Sequence, residues 1–169
     1  MARKSNFSKE EWQTLRSAPH LVVVAVAAAG GSGLFGSIKE AIAPAGAIIE
    51  ALKGHNDLLK DLFQKEEMQA AIEEIRQDAK SDDFHAIQAG FRDAARSRVR
   101  AAVAILEEKS PADTSVYGEF LMKLAERVAN AATEGGFLGF GGERVSEPEQ
   151  ILLAELAADL GRSIGTLAA

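Results

Sequence analysis

Leu21-Val22-Val23-Val24-Ala25-Val26-Ala27-Ala28-Ala29 is the stretch on which the fold turns. Its valines suit a buried strand, because a branched Cβ stiffens χ1 and packs well on a pleated surface. The alanines that continue it are the best helix formers, and they tip the whole segment to helix. Upstream, Ser8 and Glu11 have the Ser-x-x-Glu pattern of a capping box, and Phe7 and Trp12 flank that cap at the spacing of a hydrophobic staple. A first helix is therefore expected from this cap to about Ser17, with Pro19 interrupting the chain before the Leu21–Ala29 helix.

Downstream, apolar residues recur at steps of three and four. Leu34, Ile38, Ile42, Ala45, Ile49 and Leu52 form one stripe, avoided by Lys39, Glu40, Glu50 and Lys53 and kinked at Pro44. Asn56 can cap a polar helix carrying Leu59, Phe63, Ile72 and Ile75 to about Lys80. Ser81 opens the next, with Phe84, Ile87, Phe91, Ala95, Val99, Ala102 and Leu106 inward. Ser110-Pro111 starts another, with Tyr117, Phe120, Leu121, Leu124, Val128 and Ala131 inward. A second capping box, Ser146 with Glu149, opens a last helix with Leu152, Leu153, Leu156 and Leu160 inward. The sum is an all-α, single-domain bundle (1–169) of six to seven helices.

With 169 residues, 47% of them hydrophobic and 26% charged, the chain is long and apolar enough to bury its own core. A net charge of −6 opposes binding to nucleic acid, whose phosphates need a clustered basic surface. The absence of cysteine removes disulfides and thiolate chemistry and fits a cytoplasmic protein. The apolar run from Leu21 to Gly36, broken by glycine, falls short of the roughly 20 residues that span a bilayer. Arg3, Lys4 and Lys9 ahead of it have the look of a leader, but Glu10 and Glu11 do not suit one.

Between the last two helices Glu134–Val145 reads EGGFLGFGGERV, where glycines alternate with aromatics that resist exposure to water. Aligning Ala28-Ala29 with Ala131-Ala132 brings Gly33-Leu34-Phe35-Gly36 onto Gly136-Phe137-Leu138-Gly139, an offset of about 103 residues. That echo suggests two related halves, 8–80 and 81–169, packed about a pseudo-twofold axis. Leu124-Ala125, Arg127-Val128, Ala131, Glu134-Gly135 and the helix from Ser146 to Gly161 resemble the last helix pair of the tellurite-resistance TerB-like family. The resemblance implies a helical fold, a metal held by acidic turn residues and a place in membrane-linked stress assemblies. The first turn of this chain, Gly30-Gly31-Ser32, lacks the carboxylate of that pattern.

Three sets of residues are candidates for function. Leu34, Phe35, Phe137, Leu138 and Phe140 belong to the glycine-aromatic segments and are expected to contact a partner protein, a second copy or a membrane surface. Glu134, Glu143, Glu147 and Glu149 offer the oxygens that calcium, magnesium or manganese prefer. Arg92, Arg96 and Arg100 recur every fourth residue and stack on one helix face, where they can hold an anion or an acidic partner, or pair with Glu66, Glu73, Glu74 or Asp78. His20 and His55, beside Pro19 and Gly54, read as surface residues, and Asp82 with His85 has a di-iron spacing without the required second copy. No nucleophile–base pair is suggested. The expected function is a non-catalytic binding or scaffold module acting through its glycine-aromatic segments; the alternative is a divalent-metal-binding or metal-sensing protein.

Overall fold

A computed structural model describes residues 2–30, 56–78, 84–134 and 145–161, with backbone alone for 76–78, 84–88 and 131–134. Helix α1 spans Lys9–Ala29 and its capping box closes as the sequence implies. Ser8 N–H donates to Glu11 Oε2 at 2.7 Å, Glu11 N–H donates to Ser8 Oγ at 3.2 Å, and the Phe7 and Trp12 rings stand 6.0 Å apart. The interruption expected at Pro19 does not occur. A proline within a helix removes the N–H that would bond the carbonyl four residues back, here that of Leu15. Tyr117 compensates: its Oη–H donates to the Leu15 carbonyl at 2.7 Å. Burial pushes the Tyr117 phenol well above its ordinary range, so it stays protonated and able to donate.

From Ser17 to Ala28 every residue of α1 is buried, which identifies it as the central helix. Burial around the whole circumference also explains why so many valines are tolerated: packing outweighs their small propensity cost.

A short 3-10 turn, Lys4–Asn6, precedes α1. Helix α2 spans Asp57–Leu62 and is capped by Asn56, whose Oδ1 accepts the Leu59 N–H at 3.0 Å. Helix α3 spans Lys65–Asp78. The sequence predicts one helix here, but the chain turns at Phe63-Gln64. The turn swings the Phe63 ring inward, 5.0 Å from Phe120 and edge-on to it, so aromatic burial offsets the lost helical continuity.

Helix α4 spans Phe84–Lys109 and buries Phe91, Ala95, Val99, Ala102 and Leu106. Helix α5 spans Pro111–Glu134 and buries Tyr117, Phe120, Leu121, Leu124 and Val128. Helix α6 spans Glu147–Asp159 and turns Leu152, Leu153 and Leu156 inward, with Leu160 partly buried just past its end. Among the described residues every regular element is helical, and the fold is an all-α bundle of six helices. Helices α3, α4, α5 and α6 all pack on α1.

Lys109 at the end of α4 donates to Glu11 at the start of α1, at 2.7 Å, so these two helices run in opposite directions. Helix α5 starts from that same end and runs alongside α1, and α6 returns. The offset of about 103 residues carries α1 onto α5. Leu15, Leu21 and Val26 fall on Gly118, Leu124 and Ala129, all of them buried. The expected helix over 33–53 and the cap at Ser81 lie outside the described residues.

Candidate functional site

The chain ends that bound the two glycine-aromatic segments meet at one end of the bundle. Helix α1 closes at Gly30, and α6 opens after Val145 with Ser146 N–H and Oγ–H donating to Glu149 Oε2 at 2.8 and 2.7 Å. That cap folds the Glu149 carboxylate inward until it lies against Gly30. A methyl group on Gly30 would come within 2.6 Å of Glu149 Oε1. Gly30 has ordinary right-handed helical geometry, so what glycine supplies there is room for the Glu149 carboxylate, which a larger residue would make shift. Leu34, Phe35, Phe137, Leu138 and Phe140 themselves lie outside the described residues. In sequence, the first pair follows Gly30 and the other three precede Val145.

Beside this contact lies a groove of about 310 Å³ lined by Ala25, Ala29, Ala89, Pro148, Ile151 and Leu152 together with Arg92 and Glu147. The alanines of α1 leave the space. Ile151, 46% exposed, is one of two large exposed apolar side chains among the described residues.

Of the carboxylates expected to take a metal, the side chain of Glu134 and all of Glu143 lie outside the described residues. Glu147 is exposed at the first turn of α6, and Glu149 is buried with Oε2 committed to the cap. Among the described residues no three acidic, histidine or cysteine side chains gather as metal ligands would.

The arginine stripe is brought together, but its partners are on α6 and not on α3, where the sequence led us to expect them. Arg92 is bidentate on Glu155, with Nε–Oε2 at 2.8 Å and Nη2–Oε1 at 2.5 Å. Arg96 reaches Asp159 at 2.8 Å and Glu155 at 3.2 Å, and Arg100 reaches Asp159 at 3.0 Å. Burial works to raise the Asp159 carboxyl, but the hydrogen bonds from Arg96 and Arg100 outweigh it and hold the group below its usual range. Glu155 is held down chiefly by its hydrogen bond from Arg92. The stripe thus ties α4 to α6.

The acidic face of α3 is used differently. Glu67 accepts from Trp12 Nε1 at 2.8 Å, from Arg16 Nη1 at 2.8 Å and from Lys4 Nζ, and Glu74 accepts from Arg16 Nη2. Trp12, Arg16 and His20 stand one turn apart on α1, a polar stripe that runs up to its apolar second half. His20, expected at the surface, is 2% exposed, because α1 continues through Pro19 and carries it into the core beside Phe63. Sequence reasoning missed this seam; its signal was Trp-x₃-Arg-x₃-His facing Glu67 and Glu74. It also missed Asp113, whose carboxylate accepts from Ala2 N–H at 2.6 Å, Asn56 Nδ2 at 2.8 Å and Ser110 Oγ at 2.6 Å.

No helix among the described residues is long and apolar enough to cross a membrane. Comparison with protein-family models, with curated proteins and with solved structures finds no match for this chain.

Proposed function

We propose that this chain is a non-catalytic helical binding module whose contact surface is the end of the bundle where Gly30 meets Glu149. The observation that carries the reading is that contact. It brings Gly30, which precedes one glycine-aromatic segment in the chain, beside Ser146–Glu149, which follow the other, and this supports a reading in which Leu34, Phe35, Phe137, Leu138 and Phe140 serve one surface. Apolar and aromatic side chains set among glycines, at the end of a fully packed central helix, suit contact with an apolar partner. The surface it meets is a partner protein, a second copy or a lipid headgroup layer, and the resemblance to tellurite-resistance domains adds a stress-response setting.

Deleting 137–140 tests the reading by light scattering and vesicle flotation on one preparation. The expected result is lost association or flotation with helical circular dichroism intact. Association unchanged by the deletion overturns the reading, and so does loss of the helical signal, which would make the segment part of the core. The alternative, a divalent cation on Glu134, Glu143, Glu147 and Glu149, requires the melting temperature to rise with calcium or manganese; no rise at millimolar metal removes it.

A further inference from the structure

The α1–α3 seam differs from the rest of the bundle interior. Helices α4, α5 and α6 meet α1 largely through apolar side chains, with the Tyr117–Leu15 and Lys109–Glu11 hydrogen bonds added, whereas α3 is joined to it by Trp12 and Arg16 donating to Glu67 and Glu74, and His20 stands one turn farther along α1 against Phe63. Three buried polar atoms in this seam, Arg16 Nε, His20 Nε2 and Glu74 Oε2, have no hydrogen-bond partner among the described residues. The His20 imidazole packs against the Phe63 ring at 6.3 Å, one turn beyond the Arg16 guanidinium.

We propose that His20 makes this seam an acid-released joint: a proton on its imidazole loosens α2 and α3 from α1 while α1, α4, α5 and α6 stay packed. Of the charged groups on the surrounding described elements, the one that acts on His20 is Arg16, and it opposes the proton; Glu74 turns one oxygen to Arg16 and leaves Oε2 unpartnered, without acting on His20. Arg16 on α1 is cationic. Glu67 and Glu74 on α3 are already bound to Arg16, and Glu67 to Lys4 as well. On α5 the phenol of Tyr117 is neutral and bonded to Leu15, and Arg98 on α4, whose charge bears on Tyr117, is a further cation. An imidazolium therefore gains by leaving this slot for water. Burial, and then Arg16, pulls the folded-state value of His20 from 6.5 to about 4. The cost of the closed seam is thus nearly absent above pH 6.5 and grows as pH falls towards 4, where release is favoured about 100-fold more than at neutral pH. Hydrogen bonds from Lys4, Arg16 and Trp12 hold the Glu67 carboxyl below its ordinary value against its own burial.

Trp12 is the single tryptophan and lies in the seam, so its emission reports on it. The test follows Trp12 emission, acrylamide quenching and far-ultraviolet circular dichroism from pH 7.5 to 4.5 on the full chain and on His20→Leu. The expected result is a red shift with increased quenching between pH 6.5 and 4.5, helical signal retained, and no such transition in His20→Leu. A transition that persists in His20→Leu, no transition in the parent, or loss of the helical signal along with the red shift overturns the proposal. Should His20→Leu fail to fold, the His55→Gln/His85→Gln variant leaves His20 as the only imidazole for nuclear magnetic resonance titration. Its titration below pH 6 together with the Trp12 change is expected. Titration at 6.5, or without any change at Trp12, refutes the joint.

Discussion

Tyr117 is the residue whose replacement tests most about how this helix bundle is held. Its hydroxyl serves the Leu15 carbonyl, the acceptor that Pro19 leaves without its helical donor. Tyr117→Phe keeps the ring and creates no cavity, so the loss is one hydrogen bond plus a buried, unpaired carbonyl, worth about 1–3 kcal/mol. In a chain of this size that lowers the melting temperature by about 2–4 °C per kcal/mol. The same substitution in a Pro19→Ala background should cost less than about 1 kcal/mol, because the backbone N–H that alanine restores can then close the helical bond to Leu15. The double-mutant cycle is read by urea denaturation with circular dichroism, and its coupling should be about 1–2 kcal/mol with the m-value unchanged. Effects that add to within about 0.5 kcal/mol would show that Tyr117 and Pro19 are independent and refute the reasoning.

Gly30→Ala should push Glu149 off its cap and cost about 1 kcal/mol, seen as a lower melting temperature; an unchanged melt would show that Glu149 relaxes freely. Leu156→Ala, deep in the core, should cost about 2–5 kcal/mol by urea denaturation. Ile151→Ala on the same helix should stay within about 0.5 kcal/mol. Asp159→Asn should weaken the α4–α6 link measurably at low salt, with the difference from the parent shrinking in 1 M salt as the exposed guanidiniums are screened.

Much of the fold is legible in the sequence because periodic apolar residues and caps are local signals. Ser8-x-x-Glu11 and Ser146-x-x-Glu149 mark helix starts that the structure shares, and the stripe from Phe91 to Leu106 lies buried as its spacing implies. What fails does so where a distant residue overrides a local rule. Pro19 does not break α1, because Tyr117, far along the chain, takes over the orphaned carbonyl. Phe63 ends α2 although no glycine or proline stands there, because its ring has Phe120 to pack against. The arginines of α4 find Glu155 and Asp159 and leave Glu67 and Glu74 to Arg16, a choice of partner that depends on how helices are arranged and not on the charge pattern of either. The approach of Gly30 to Glu149 is likewise invisible in sequence, since nothing local distinguishes a glycine that permits a turn from one that admits a carboxylate.

The proposed single contact surface of the two glycine-aromatic segments is tested most directly by substituting Leu34→Ser with Phe35→Ser, Phe137→Ser with Phe140→Ser, and all four together, and measuring association by light scattering and vesicle flotation. Each pair should weaken association about tenfold or more, and the fourfold variant should lose less than the sum of the two, as neighbours in one contact do. Association equal to the parent in all three, or losses that simply add, would contradict a single contact surface at the Gly30–Glu149 end.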